Sequence, residues 1–197
     1  MAVKKTREQW LNEAVAEMRP WFKQHGHPLP RKVRVAIGFT SKGARSNRIG
    51  ECWSKDASKD GTFEIFIVPS QDAPIRVLDI LAHELCHAAV GLADGHGKLF
   101  GKVARGIGLE GKLTATTGGK EFQKACRPIL KKIGKMPHAA LEGGQSSGPP
   151  KQSTRLIKAQ CDTCGYTVRV TAKWIDVAPP CCPDPECPDH DTPMMLG

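Results

Sequence analysis

Long apolar runs are missing from this sequence. Its 197 residues have a mean hydropathy of −0.35, and no stretch approaches the roughly 18 to 20 apolar residues that a bilayer-crossing helix requires. The opening residues also lack the apolar stretch of a secretory signal. The expectation is a cytoplasmic protein with no membrane partner, associated with the nucleoid or, in a eukaryote, with the nucleus. Aromatic residues are scarce, with one Tyr, four Trp and six Phe. That leaves Trp53, read as lying in a turn, and Trp174 as the candidate platforms for stacking on unpaired bases, against core packing as the commoner fate of tryptophan. Acidic side chains are in deficit, 20 against 29 basic, for a net charge of +9. No internal repeat is present.

The charge deficit is uneven. Residues 1–50 carry 11 basic and 3 acidic side chains, and residues 98–135 carry 10 and 2, whereas residues 51–97 sum to −5. Segregated positive charge of this kind raises affinity for polyanions. The clusters Lys42, Arg45, Arg48 and Lys131, Lys132, Lys135 are the candidate nucleic-acid contacts, with a solvated surface as the alternative.

The acidic middle contains the densest chemical signal, Asp79-Ile-Leu-Ala-His83-Glu84-Leu-Cys-His87-Ala-Ala-Val90. Residues four apart on a helix share a face, so His83 and His87 can reach one cation while Glu84 stands beside it. Zinc on neutral imidazoles keeps a position for water and lowers its pKa from about 15.7 to about 7. An uncoordinated carboxylate can then take up and return the proton. At about 100° per residue, Leu78, Leu81, Ala82, Leu85 and Ala89 form one arc, with both histidines roughly opposite. Asp72 and Pro74 suit a helix start and Gly91 a stop, framing a helix of 74–90.

A catalytic site needs a third protein ligand. His96 is the best candidate, in a turn whose Gly95 and Gly97 leave the ring uncrowded. Asp94, His138, His25 and His27 are the alternatives.

Eight cysteines in a reducing compartment point to metal rather than disulfides. Cys161-Asp-Thr-Cys164-Gly165 is a metal knuckle, and its partner lies 15 to 20 residues on in Cys181-Cys182-Pro-Asp-Pro-Glu-Cys187. Cys182 and Cys187 are the favoured second pair, with Cys181 and His190 as substitutes. Cys52, Cys86 and Cys126 read as ordinary buried or half-buried residues.

The Gly143–Pro150 run marks a flexible linker over 137–154. It separates a core of 1–136 from a module of 155–197 too small to fold without metal. Periodicity gives a helix over Arg7–Phe22, strands at Val33–Phe39 and Phe63–Val68, the 74–90 helix, and further helices near Lys98–Ile107 and Lys120–Ile133. The fold class is α+β, with Tyr166–Val170 a strand of the terminal module.

His83-Glu-Leu-Cys-His-Ala88 followed by Gly95-His-Gly-Lys-Leu-Phe100, after Gly50-Glu-Cys-Trp53 and the strand-like Phe63–Val68, resembles the SprT-like (Spartan-type) zinc metallopeptidases over roughly residues 6–190. That resemblance implies a zincin-like core whose metal helix packs on a small β-sheet, followed by a zinc ribbon. His83, His87 and His96 would then be zinc ligands and Glu84 the catalytic residue. One zinc would be catalytic and one structural. The resemblance further implies a protease that cuts proteins, in its best-known members proteins crosslinked to DNA, and the chain is expected to be a monomer. In zincins a strand beside the metal helix can pair with substrate, which by analogy gives the 63–68 strand a place on the substrate groove, against a plain core strand. The competing class is a non-proteolytic, zinc-containing nucleic-acid-binding or transcription-associated protein. A retained Glu84 argues against it, since an idle site needs no carboxylate. A zinc hydrolase acting on other bonds is a third reading.

Overall fold

A computed structural model describes residues 5–44, 46–142 and 155–197. The chain divides into two units, Met1–Gly144 and Gln145–Gly197.

The first unit begins with α1 (Arg7–Gln24), closed at its N-terminus by a reciprocal capping box. Thr6 Oγ1 accepts the Gln9 N–H at 3.1 Å and Gln9 Oε1 accepts the Thr6 N–H at 2.7 Å. Its stripe of Trp10, Leu11, Ala14, Val15, Met18 and Phe22 is buried along the whole helix. β1 (Val33–Ile37), β2 (Gly50–Trp53) and β3 (Phe63–Ile67) form one sheet in the order β1-β3-β2. β1 runs parallel to β3 and β2 antiparallel to it.

α2 (Pro74–Val90) packs on this sheet, with Ile80 and Glu84 against β2 and Leu78, Leu81 and Leu85 fully buried. α3 (Lys98–Gly106), the short pair β4 (Leu109–Glu110) and β5 (Thr117–Gly118), and α4 (Lys120–Ile133) complete the unit. Burial of Phe122, Cys126, Ile129 and Ile133 gives α4 one inward face.

Several expectations are corrected here. Residues 50–53 are a strand, not a turn; four residues opening on glycine carry too little alternation to reveal it. β3 is the central strand with both edges paired, so it cannot accept a substrate strand, whereas β2 has one edge unpaired among the described residues. Asp72 does not cap α2, whose N-cap is Ala73 without a side-chain bond. Its carboxylate instead accepts the Ala140 N–H at 3.2 Å. Together with Leu141 N–H to Pro69 O (2.8 Å) and His138 Nε2–H to Pro69 O (2.8 Å), this fastens the first residues of the expected linker to the core. Residues 143–154 of that linker lie outside the described residues.

β2 and α2 approach so closely that residue 50 has no room for a side chain. A Cβ there would sit 2.6 Å from Glu84 Oε1 and 2.7 Å from Ile80 Cγ2. Gly50→Ala should therefore cost about 1–3 kcal/mol of stability, as overpacking does. Denaturant unfolding tests this, and an unchanged midpoint would show that the two elements have slack between them.

The second unit is a three-stranded sheet in the order β7-β6-β8, from β6 (Leu156–Gln160), β7 (Thr167–Thr171) and β8 (Met195–Leu196). One helical turn, α5 (Ala172–Ile175), follows β7. Its buried apolar cluster is only Ala159, Cys161, Cys182, Cys187 and Met194, with Val168 packed on it. A core of that size does not hold a domain unaided. Among the described residues, no helix is long and apolar enough to cross a membrane.

Candidate metal centre

α2 carries His83 and His87 one turn apart, and Gly91 ends it with φ 84° and ψ 155°. The chain turns back through Leu92–Asp94 and Gly95, at φ 52°, which brings His96 over the same face. His96 Nε2 lies 3.2 Å from both His83 Nε2 and His87 Nε2. Three nitrogens each about 2.0–2.1 Å from a tetrahedral ion would stand about 3.3–3.4 Å apart, so the trio fits one divalent metal. Burial, first among the causes, holds His83 down to about 3 and His87 to about 4, and lowers His96 as well. The rings are thus neutral at ordinary pH, the form that binds metal.

The other third-ligand candidates are engaged elsewhere. Asp94 Oδ2 accepts the Phe100 N–H at 2.9 Å, at the start of α3. His138 bonds Pro69 O, and His25 lies by Gly106. His27, just beyond α1, is not in the cluster.

Glu84 is buried against β2 and lines a groove of about 630 Å³ with His83, His96, Arg48, Trp53 and Leu92. Burial pushes its carboxyl up to about 8, with Glu51 adding to the rise and Arg48 and the Cys52 amide opposing it. Burial also raises the thiols of Cys52 and Cys86, and the Glu84 charge adds to both shifts. Both therefore stay protonated and do not compete with the imidazoles for metal.

Residues without a local sequence signal complete the site. Phe100 packs against all three imidazoles, with ring centroids 5.0, 4.5 and 4.9 Å from His83, His87 and His96. Thr116 Oγ1 lies 2.8 Å from His83 Nδ1, across 33 residues of chain. Glu51 gathers the Ser41 N–H (2.7 Å), the Ser41 hydroxyl (2.6 Å), the Trp53 indole N–H (3.1 Å) and the Arg48 guanidinium, which builds the wall opposite α2.

The second unit gathers Cys161, Cys164, Cys182 and Cys187. Cys161 Sγ is 3.7 Å from Cys187 Sγ, and Cys164 Sγ is 3.5 Å from Cys182 Sγ. Four thiolates about 2.3 Å from a tetrahedral metal would be separated by about 3.8 Å, so this set fits one ion too. Gly165 at φ 76° shapes the turn, and its N–H bonds Cys161 O at 3.0 Å. Backbone amides, that of Cys164 foremost, pull the Cys161 thiol down to about 7. Cys181 is exposed with its Sγ toward Pro179 O, and His190 pairs with Asp191, so neither joins the set.

Both candidate stacking tryptophans are exposed rather than packed in a core. Trp53 is 40% and Trp174 57% exposed, with Lys173 Nζ 5.1 Å over the Trp174 ring. Of the candidate basic clusters, Arg48 is committed to Glu51 and Lys132 pairs with Glu17 at 2.6 Å. Lys42, Lys131 and Lys135 are exposed, and Arg45 lies outside the described residues. No family model, curated protein or solved structure matches the chain.

Two ligand sets should hold about two metal ions per chain, measured by elemental analysis of protein purified without chelator. Cys187→Ser should lower that count by one and leave the core's thermal transition in place; loss of both ions together would mean the two sets are not independent.

Proposed function

We propose that this chain is a zinc-dependent endopeptidase with a SprT-like, zincin-type core and a zinc ribbon, acting on proteins associated with DNA. The observation that carries the reading is a trio of imidazole nitrogens beside a buried carboxylate, in a groove bordered by an unpaired strand edge. Zinc on His83, His87 and His96 would polarise water and bring its pKa to about 7.

Glu84 then takes one proton from the attacking water as its oxygen bonds to the substrate carbonyl carbon, and delivers it to the departing amine as the C–N bond breaks. Glu84 is placed for the exchange by its position beside the imidazoles in the wall of the groove. β2 supplies the means of holding a peptide. Ile49 O accepts the Val68 N–H at 3.0 Å, which puts Glu51 in phase with the β3 ladder and turns the backbone groups of Gly50 and Cys52 to the free edge. An extended substrate added there runs past Glu84, which favours peptide bonds over other hydrolysable groups.

Glu84→Gln should keep both metal ions and the melting temperature while lowering peptide hydrolysis by about 10²- to 10⁴-fold. Cleavage of an unfolded protein substrate by matched wild-type and variant preparations is the measurement, and equal rates would remove Glu84 from the mechanism.

A nucleic-acid partner is supported by α4. Lys120, Lys124, Arg127 and Lys131, at i, i+4, i+7 and i+11, are exposed on the side away from its buried face. None of the four forms an ion pair among the described residues. Such a row tracks a phosphate backbone. Replacing all four with Gln should reduce the slope of log affinity for duplex DNA against log salt by about 3 to 4. An unchanged slope would place the contact elsewhere.

A further inference from the structure

We propose that Thr116 is a positioning residue of the three-histidine centre, accepting the Nδ1–H of His83 and so fixing which nitrogen of that ring meets the metal. The inference rests on the reading that His83, His87 and His96 hold a divalent ion. A neutral imidazole has one N–H and one lone pair, and the partner of the first decides where the second points. With Nδ1–H on Thr116 Oγ1 at 2.8 Å, the lone pair lies on Nε2, the atom that faces His96 Nε2.

Thr116 is itself buried, at 6% exposure. Its place is set by a second contact one helical turn back. The Gly118 N–H donates to Asp79 Oδ2 at 3.2 Å, and Asp79 Oδ1 accepts from the Arg76 guanidinium at 2.7 Å. Residues 116 and 118 of an extended segment stand about 6.7 Å apart. Residues 79 and 83 are separated by about 6 Å of helical rise. The two spacings match, so the 116–118 segment lies along α2 with Gly118 on Asp79 and Thr116 on His83. A slip of one residue would aim the wrong side chain at the imidazole.

The other two rings lack this arrangement. Phe100 packs on all three rings, but among the described residues no protein acceptor meets Nδ1 of His87 or His96. His83 is therefore the one ligand whose tautomer the fold dictates before metal arrives, and the other two adjust to it.

The test uses the full chain with Thr116→Val, which keeps the shape and removes the acceptor, and Thr116→Ser, which keeps the hydroxyl. Zinc affinity is measured by competition with a chromophoric chelator, with the four-thiol site as internal reference. Imidazole ¹H–¹⁵N spectra of the metal-free protein report which His83 nitrogen is protonated. Thr116→Val should weaken the imidazole site by about 10- to 100-fold, as loss of such partners does. It should also shift His83 away from the Nδ1–H form and leave the thiol site and the metal-free melting temperature unchanged. Thr116→Ser should restore both properties. Wild-type affinity in Thr116→Val, an Nε2–H tautomer at His83 in the wild type, or equal losses in both variants would overturn the role. If the wild type holds metal at the thiols alone, the three-histidine centre fails with it.

Discussion

His96 Nε2 stands 3.2 Å from Nε2 of both His83 and His87, and a divalent cation between the three rings would satisfy their lone pairs together. Everything nearby serves to keep the rings there and neutral. The helix spacing fixes two of them, the glycine-bearing turn after α2 returns the third, and Phe100 fills the space behind all three. Burial disfavours protonating the rings, which removes the simplest competitor for the metal. The same burial raises the proton affinity of Glu84, so one environment disfavours the charged form of the imidazoles and of the carboxyl alike.

The two ligand sets differ in what they leave open. Four sulfurs would complete a tetrahedron, so a metal held there would have no open position and would add folding energy to a unit with almost no core. Three nitrogens would leave a tetrahedral metal one position unfilled by these ligands, and His83 and His96 line the same groove as Glu84. Under the proposed reading, the division between a structural and a reactive ion follows from donor number.

Legibility in the sequence tracked the range of the interaction. His83, Glu84 and His87 are a local pattern on one helix, and the apolar stripes of α1 and α2 follow a period that a wheel displays. The knuckle at 161–164 is equally local, and the spacing to Cys182 and Cys187 narrowed the choice although Cys181 and His190 competed. Contacts closed only by the tertiary fold were not legible. Nothing near Thr116 announces that it meets a histidine 33 residues away, and Glu51 looks like any strand carboxylate until Ser41, Arg48 and Trp53 converge on it. Trp53 reads as a turn residue because four residues cannot display an alternating pattern, whereas it closes β2, and of the two readings of the 63–68 strand the structure has the central core strand. Asp72 and Pro74 frame the start of α2 at residue 74, although the Asp72 carboxylate bonds a later segment rather than the helix.

If a peptide adds to β2 as proposed, the brevity of that strand would limit selectivity. A ledge of four residues, only two of which turn their peptide groups outward, would grip main chain but sample little of a partner's side-chain identity. Discrimination by such a ledge would depend on shape: a polypeptide would have to present a few residues already loosened from its own fold. Intact globular neighbours would pass untouched, and damaged or stranded ones would be taken whatever their sequence.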